Sequence, residues 1–461
     1  MLITRQLPAK TIKCMMFVCI VFILSIGRPS ISTAMTPQES KAVIKQCITG
    51  MWTEDYKVTP ALKKHQDALK SMLSSGSLDK GDLKNMAGDV VIDLMGQKAT
   101  ARYVFNQIEK PFDALFAPHL TWATVKEVIW ERISASAKEQ TLITIGTLAP
   151  PGTPYVTVPE TTINLHINKL THDKIKIKIF GGGVMGEDTD ILRKMDIGQL
   201  TGCGCTALGV LNAAQDMSVF TLPGLFKNYD EVDYIFKKFR KQIDKSFEEK
   251  GYLLAALIDT GFFHFYSKKK IASLEDIRKA KVLTWMGQVE TTLYDNLKIN
   301  PTPVAVPEVI SALSTGLADT NLAPAVWMLG MQGYQYANYF LDMPILYSPA
   351  AIIVHSNIQE KMQKELGLPD TLAYSFREFF LSEFNVIEPM WRGKVREYES
   401  KALEAFQKKC GIKAMPVSEA DRKTIETADI AVREQLAGKA YPRKLLEDIL
   451  KALADYRKNN P

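Results

Sequence analysis

A seven-residue segment of strictly alternating side chains places the strongest constraint on the fold of this chain. Residues 174–180 read KIKIKIF, so Ile175, Ile177 and Ile179 lie on one side of an extended backbone and the lysines on the other. A period of two residues is the signature of a β-strand with one buried face. The sequence therefore predicts a strand here, in a sheet that covers a hydrophobic core.

Strand patterns alternate with helix patterns from residue 141 onward. Asn228, Ser273 and Ser418 each precede a helix pattern, at the position where a side-chain oxygen caps the first free amides. Alternation of this kind is typical of α/β layers, and it predicts largely parallel sheets. A helical pattern over residues 371–409 is longer than most globular helices, and it predicts a helix that spans two domains.

The first 34 residues have the features of a secretory signal. A basic start is followed by an apolar run from Cys14 to Ile26 and by the small residues Ser32, Thr33 and Ala34. The run is 13 residues long, whereas a transmembrane helix needs about 20. We expect cleavage near Ala34 and export to the periplasm, with an uncleaved membrane tether as the alternative.

Residues 35–140 predict an all-helical module. Thr36-Pro37-Gln38-Glu39 forms a capping box with proline at the first helical position, and no convincing strand pattern occurs before residue 141. About one hundred residues can bury a core of their own. The module is either a packing scaffold or a docking surface for a partner, and the sequence favours neither.

Charge and motifs exclude several classes of function. The formal net charge is +6, but four of the cations lie in the first 34 residues, which contain no acid, so the remainder carries +2. This weak charge gives no reason to expect a nucleic-acid partner. The six histidines lack metal-ligand spacing and no nucleophile motif is present, so we predict no enzyme, no cofactor and no metal site.

Four cysteines remain once the signal is removed, namely Cys47, Cys203, Cys205 and Cys410. Three pairings are possible in an oxidising compartment, and the sequence does not choose among them. Cys203 and Cys205 lie on the same side of one strand, where a bridge between them is expected to be strained. A metal site at this Cys-Gly-Cys is less expected than two small buried residues, because no histidine cluster or second close cysteine pair accompanies it.

Several segments between residues 141 and 457 occur together in a known order and spacing. They are the strand before Ala149-Pro150, KIKIKIFGGGVMG at 174–186, IGQL at 197–200, FTLPGLF at 220–226, SLEDIRKAK at 273–281, PEVISALSTG at 307–316 and Trp391. In this order, over more than three hundred residues, they resemble the periplasmic solute-binding subunits of TRAP transporters, the DctP-like family.

The resemblance implies a two-domain, periplasmic-binding-protein-like α/β fold for residues 141–461. Its lobes would be interleaved, with a cleft between them and the long helix crossing both, and the all-α module would precede them. The protein would capture a ligand in the cleft and deliver it to membrane transporter subunits, without covalent chemistry. The alternative is an envelope adaptor, a structural subunit of a membrane transport complex such as a lipid exporter, with the helical module used for docking.

The family usually holds a small carboxylate with arginines, because the planar guanidinium matches two carboxylate oxygens. Carried over residue by residue, one arginine position falls on Phe263, just after Gly261, and the other falls on Leu283. A desolvated carboxylate without a cation or hydrogen-bond donor costs several kcal/mol. We therefore expect an apolar or amphipathic ligand.

The predicted ligand-binding residues surround these two positions. They are Phe262, Phe263, His264, Leu283, Thr284, Trp285, Met286, Asn321 and Trp327. Asn321, Thr284 or His264 would supply one or two orienting hydrogen bonds. The alternative for the aromatic residues is simple packing in a core, where such side chains are usually found.

Overall fold

The computed structural model describes residues 80–96, 109, 112–113, 121–285 and 287–460, which divide into two compact units. The first unit takes the described residues up to Thr141 together with His166–Lys176 and Asn357–Val386. The second takes Leu142–Leu165, Ile177–Ser356 and the residues from Ile387 onward. The predicted signal peptide, the capping box that begins at Thr36, and Cys47 lie outside the described residues.

The helices and strands of the described residues are numbered in chain order. The helices are α1 (Lys80–Gly96), α2 (Trp122–Ser136), α3 (Pro154–Pro159), α4 (Leu165–Leu170), α5 (Asp188–Asp196), α6 (Ala207–Ala213), α7 (Tyr229–Glu248), α8 (Leu274–Lys279), α9 (Gln288–Leu297), α10 (Val309–Thr315), α11 (Ala325–Gly330), α12 (Ile358–Leu366), α13 (Asp370–Lys408), α14 (Glu419–Leu436) and α15 (Arg443–Asn459). The strands are β1 (Thr141–Thr147), β2 (Ile175–Phe180), β3 (Gly202–Cys205), β4 (Tyr252–Ser267), β5 (Leu283–Thr284), β6 (Thr302–Pro303), β7 (Thr320–Pro324), β8 (Tyr339–Leu341), β9 (Leu346–His355) and β10 (Lys413–Met415).

The first unit is built mainly from helices α1, α2 and α12 and from the part of α13 that ends at Val386. Two buried tryptophans of α2 join these elements. Trp122 stacks on Phe379 at a ring distance of 6.4 Å, and Trp130 meets Phe376 edge-on at 5.8 Å. The described part of the predicted N-terminal module is thus helical, and it packs through aromatic contacts.

The main sheet is mixed rather than largely parallel. Its strands follow the order β10-β8-β4-β9-β3-β1-β2, and β7 pairs with β4. β1 runs parallel to β3, whereas β9 runs antiparallel to both β3 and β4. The prediction of largely parallel sheets is therefore wrong, because an apolar run buried on both faces carries no information about strand direction.

Local sequence patterns predicted the elements around this sheet well. Ile175 and Ile177 of β2 are buried and the intervening lysine is exposed, as the alternating pattern requires. The side chains of Asn228, Ser273 and Ser418 accept the amide hydrogen bonds that begin α7, α8 and α14. Each cap satisfies one helix amide that would otherwise lack a partner.

Strand β4 is the longest strand and changes partner along its length. Its first part pairs with β9, and its last five residues pair with β7. The register shifts between Asp259 and Gly261, where Gly261 has a φ of +116°. The strand continues through this glycine as a bend. Among the described residues, no helix combines the length and apolarity needed to cross a membrane.

Candidate ligand-binding site

Strand β4 places successive side chains on opposite faces, so Phe263 and His264 do not share a site. The Phe263 ring lies 5.8 Å from the ring of Trp285. The His264 ring instead lies 6.1 Å from that of Phe340, on the neighbouring strand β8. Phe262 contacts a third set of rings, 5.0 Å from Tyr229. Of the three consecutive predicted residues, the structure brings only Phe263 to Trp285.

The first arginine position is occupied by a group of rings that we call the aromatic cluster, formed by Phe263, Trp285 and Trp327. Trp285 and Trp327 stack with their ring centroids 6.1 Å apart and an interplanar angle of 26°. Phe263 is fully buried, and the two tryptophans are 7% and 8% exposed. Leu283, at the second arginine position, is also fully buried. Closely packed apolar side chains therefore stand where the family usually has cations.

Two hydrogen bonds fix the orientation of Trp285. Its backbone amide donates to Glu290 Oε2 at 2.9 Å, and its indole Nε1 donates to Asn321 Oδ1 at 3.1 Å. The buried Glu290 carboxylate also accepts from the hydroxyls of Thr284 and Tyr294, at 2.7 Å and 2.9 Å. Glu290 was not among the predicted residues. Glu290 thus ties strand β5 to α9 through its hydrogen bonds with Thr284 and Trp285.

Asn321 keeps an unused hydrogen-bond donor beside the aromatic cluster. Its side chain is buried, and its Nδ2 finds no hydrogen-bond partner within the part of the chain that the structure describes. A buried donor without a partner costs free energy unless a ligand or an ordered water supplies an acceptor. The Nδ2 group of Asn321 is therefore available as a hydrogen-bond donor.

His264 and Thr284 are less suited to the polar role that the sequence proposed for them. The Thr284 hydroxyl already donates to Glu290. Burial lowers the pKa of His264 to about 4, so that its imidazole is neutral at neutral pH. Because its ring packs on the face of β4 opposite to Phe263, His264 does not reach the aromatic cluster.

A cavity of about 310 Å³ lies between α6 and the start of α9. Leu208 and Leu211 line it from α6, Gly287 and Val289 line it from the start of α9, and Lys250 completes the rim. Ligands of α/β proteins commonly bind beyond the carboxyl ends of strands, and this volume is within the range of small-molecule pockets. The predicted residue Met286, which precedes Gly287, lies outside the described residues.

On the other side of the bend in β4 lies a group that we call the arginine cluster, formed by the buried Asp259 and Arg392 and the partly exposed Asp233 and Arg396. Asp259 is fully buried and lies 3.1 Å from Arg392 and 2.7 Å from Arg396. Asp233 lies 2.6 Å and 2.7 Å from the same two guanidinium groups. Burial alone would lower the pKa of Arg392, but the carboxylates outweigh it and the pKa is raised.

Glu399 contacts the bend itself. Its Oε1 accepts the amide hydrogen of Phe262 at 3.1 Å, and its other oxygen is hydrogen-bonded to the Tyr229 hydroxyl. A Cβ atom at Gly261 would overlap Oε1, so only glycine allows this approach. Burial raises the pKa of Glu399 to about 7. The sequence analysis identified Gly261 but not its partner, which is more than a hundred residues away along the chain.

The structure also decides between bridge and metal site at the Cys-Gly-Cys. Cys203 and Cys205 form a disulfide with their Cα atoms 5.3 Å apart, which is within the usual range. This pairing, one of the three that the sequence left open, is thus the one formed among the described cysteines. The Asp188 carboxylate lies within 4.8 Å of both sulfurs, but a disulfide offers no thiolate ligands for a metal. Cys410 is an exposed free cysteine among the described residues.

A mixed sheet with helices packed around it is the α/β architecture of the described residues. Residues 145–439 match the family described as bacterial extracellular solute-binding protein, family 7, with the short name DctP. The match covers more than half of the chain, and the chain belongs to this family. The resemblance found in the sequence and the α/β fold that it implied are both confirmed.

Solved structures with this fold come from TRAP transport systems. The chain is similar to the sugar acid binding protein DctPAm from Advenella mimigardefordensis in complex with galactonate, with a TM-score of 0.62, 19% identity, and coverage of 69% of this chain and 99% of that one. It is also similar to a TRAP periplasmic solute binding protein from Haemophilus influenzae with bound L-gulonate, with a TM-score of 0.60, 18% identity, and coverage of 68% and 99%.

Sequence relatives are equally distant. The C4-dicarboxylate-binding periplasmic protein DctP from Rhodobacter capsulatus is 23% identical over 212 residues, which are 45% of this chain and 63% of that protein. A solute-binding protein from Verminephrobacter eiseniae is 21% identical over 203 residues, which are 44% of this chain and 61% of that protein. The chain thus spans about three fifths of the length of these relatives.

Proposed function

We propose that this protein is an extracytoplasmic solute-binding protein that captures an apolar or amphipathic ligand and delivers it to membrane transporter subunits. Export would use a signal peptide cleaved near Ala34. In the proposed organisation, residues 1–34 are the signal, 35–140 the helical module and 141–461 the two-lobed solute-binding region. Family membership supports the transport role, and the aromatic cluster supports the nature of the ligand.

The replacement of both arginine positions by buried apolar side chains is the observation that carries the proposal. Phe263 and Leu283 are fully buried, and Phe263 packs on Trp285. The side-chain hydrogen-bond and ring partners of Phe263, Trp285 and Asn321 include no arginine or lysine among the described residues. A carboxylate bound here would lose its hydration without gaining a cation, which costs several kcal/mol.

This chemistry differs from that of the structural neighbours. Their names record galactonate, L-gulonate and D-glucuronate, which are all sugar acids. A shared fold does not imply a shared ligand, because specificity is set by the residues in the site. The unused donor of Asn321 favours a ligand that carries an uncharged oxygen next to its apolar part.

Titration with two kinds of probe tests the proposal. Nile red, a neutral apolar dye, should bind saturably with increased fluorescence, whereas succinate and galactonate should give no heat of binding at millimolar concentration. Trp285→Ala should weaken Nile red binding at least tenfold, because it removes the central ring of the cluster. Lys444→Ala, which changes an exposed side chain and no tryptophan, serves as the control. Micromolar binding of succinate or galactonate would overturn the proposal.

A second candidate is an adaptor that keeps the binding fold but no longer captures a solute. Packing of the cluster favours it, since Phe263 and Leu283 are fully buried against other side chains even without a ligand. An adaptor would bind neither Nile red nor the acids, and it would still associate with membrane subunits. If the folded protein shows no saturable binding of either kind of probe, the result favours this candidate.

A further inference from the structure

The bend in β4 is held by a residue on a distant helix. Gly261 lies in the bend with its φ of +116°, and the next residue, Phe262, donates its amide hydrogen to Glu399 Oε1 at 3.1 Å. Phe263, which occupies the first arginine position, follows directly. The direction in which Phe263 leaves the bend therefore depends on where Glu399 holds the peptide before it.

We propose that Glu399 is a positioning residue that sets the geometry of the aromatic cluster through the Gly261–Phe262 peptide, and thereby controls ligand affinity. The proposal rests on the proposed function of the cluster. It extends that function because, among the described residues, Glu399 forms hydrogen bonds with the Phe262 amide and the Tyr229 hydroxyl and with none of the predicted ligand-binding side chains. Glu399 thus lies outside the aromatic cluster but influences which ligand the cluster binds.

The surroundings of Glu399 fit a positioning role. Its side chain is buried, and both carboxylate oxygens are engaged, one by Phe262 and one by the Tyr229 hydroxyl. The arginine cluster fixes helix α13 against the strand two residues before the bend, through Asp259. Because helix and strand are tied on both sides of Gly261, a change at Glu399 must be absorbed by the bend.

The ionisation of Glu399 depends on its neighbours as well as on its burial. The titratable and charged groups that face it come from α3, α7, β4 and its own helix, and they are Tyr155, Tyr229, Asp259, Tyr266 and Arg396. Burial and Asp259 favour the neutral acid, whereas Arg396 favours the carboxylate. Both forms can accept the Phe262 amide hydrogen, so glutamine at this position preserves the bend.

Hydrogen–deuterium exchange tests the contact without any ligand. In Glu399→Ala, the Phe262 amide should exchange at least tenfold faster than in the wild type, because its acceptor is lost. Glu399→Gln should restore slow exchange, since its amide oxygen replaces Oε1. Glu397→Ala is the matched control, because Glu397 lies on the same helix and pairs only with the exposed Lys394 and Lys401. Equal Phe262 exchange in the two alanine variants would overturn the proposal.

Trp285 fluorescence and Nile red affinity show whether the contact reaches the cluster. We expect a shifted emission that disappears in a Trp285→Phe background, and an affinity loss of about tenfold in Glu399→Ala with recovery in Glu399→Gln. A purely structural residue would lower the melting temperature in Glu399→Ala and leave emission and affinity of the folded protein unchanged, which would also overturn the proposal. If the wild type binds no probe, the proposed function fails, while exchange and Trp285 emission still decide the role of Glu399.

Discussion

Two clusters of side chains lie on either side of one bend in strand β4, and their chemistry is opposite. Before the bend, Asp259 is held by Arg392 and Arg396. After it, Phe263 packs on Trp285. The arginines near this strand are therefore used within the protein, in ion pairs with carboxylates, and the position that faces the site has none.

The two clusters should respond differently to substitution. A buried ion pair stabilises little in net terms, but removal of one partner leaves a desolvated charge. An aromatic cluster stabilises the protein through buried apolar area and packing. The free energy of unfolding that a substitution removes there should therefore increase with the volume of side chain that is lost. Four changes test this difference, beginning with the one expected to have the largest effect.

Asp259→Ala should lower the free energy of unfolding by about 3–5 kcal/mol, because it leaves Arg392 buried without its main carboxylate. Urea unfolding followed by circular dichroism measures this loss. Asp448→Ala is the matched control, since its partner Lys444 is exposed and the pair should contribute nothing measurable. A loss below about 1 kcal/mol would show that the arginine cluster is not structural.

Phe263→Arg places a cation in the aromatic cluster and should destabilise the protein by about 2–3 kcal/mol more than Phe263→Met, which keeps an apolar side chain of similar length. Succinate should recover part of that loss in the arginine variant only, since it would pair with the new guanidinium. Urea unfolding with and without succinate provides the comparison. Equal stability of the two variants would mean that position 263 is not an apolar site.

The pH dependence of stability isolates Glu399. Its pKa is about 7 in the folded protein and near 4.5 in the unfolded chain, so the folded state binds more protons between these values. Its contribution is present in full below about pH 4.5 and is lost as the pH rises through 7. Relative to Glu399→Gln, the wild type should lose about 2.5 kcal/mol of unfolding free energy between pH 5 and pH 8.

Urea unfolding at several pH values measures this difference. Burial also raises the pKa of Asp188 to about 6 and that of Asp429 to about 7, but both are present in the two proteins and cancel. Parallel stability curves for the wild type and Glu399→Gln would mean that Glu399 does not titrate in this range.

Trp285→Phe should have the smallest effect, about 1 kcal/mol, because the ring is kept and the hydrogen bond to Asn321 is lost. A double-mutant cycle with Asn321→Leu should give a coupling energy of about 0.5–1.5 kcal/mol in urea unfolding. A coupling energy near zero would show that Asn321 does not orient the indole.

Local features of the fold could be predicted from the sequence. The caps at Asn228, Ser273 and Ser418 and the alternating strand at 174–180 depend on neighbouring residues only, and all are observed. Strand direction could not be predicted, because β4 and β9 meet across about a hundred residues. A lone glycine such as Gly261 in a strand pattern signals a turn and a bend equally well, so the bend could not be predicted either.

The site was predicted in part. Phe263 and Trp285 lie next to each other in the structure. The alternation of side chains along a strand, if applied to β4, would have excluded His264 from the predicted site residues. The sequence offered no signal for Glu290 or Glu399, because charged residues at helix positions are usually solvated and only the fold shows that these two are buried. Gly261 was the single sequence signal for the contact with Glu399.

Mass spectrometry of small molecules that remain bound to the protein purified from the periplasm tests the central claim most directly. The aromatic cluster predicts a neutral or amphipathic molecule without a carboxylate held in the site, present in the wild type and in Asp448→Ala and lost from Trp285→Ala. Recovery of a sugar acid or a C4-dicarboxylate at one molecule per protein would contradict the account.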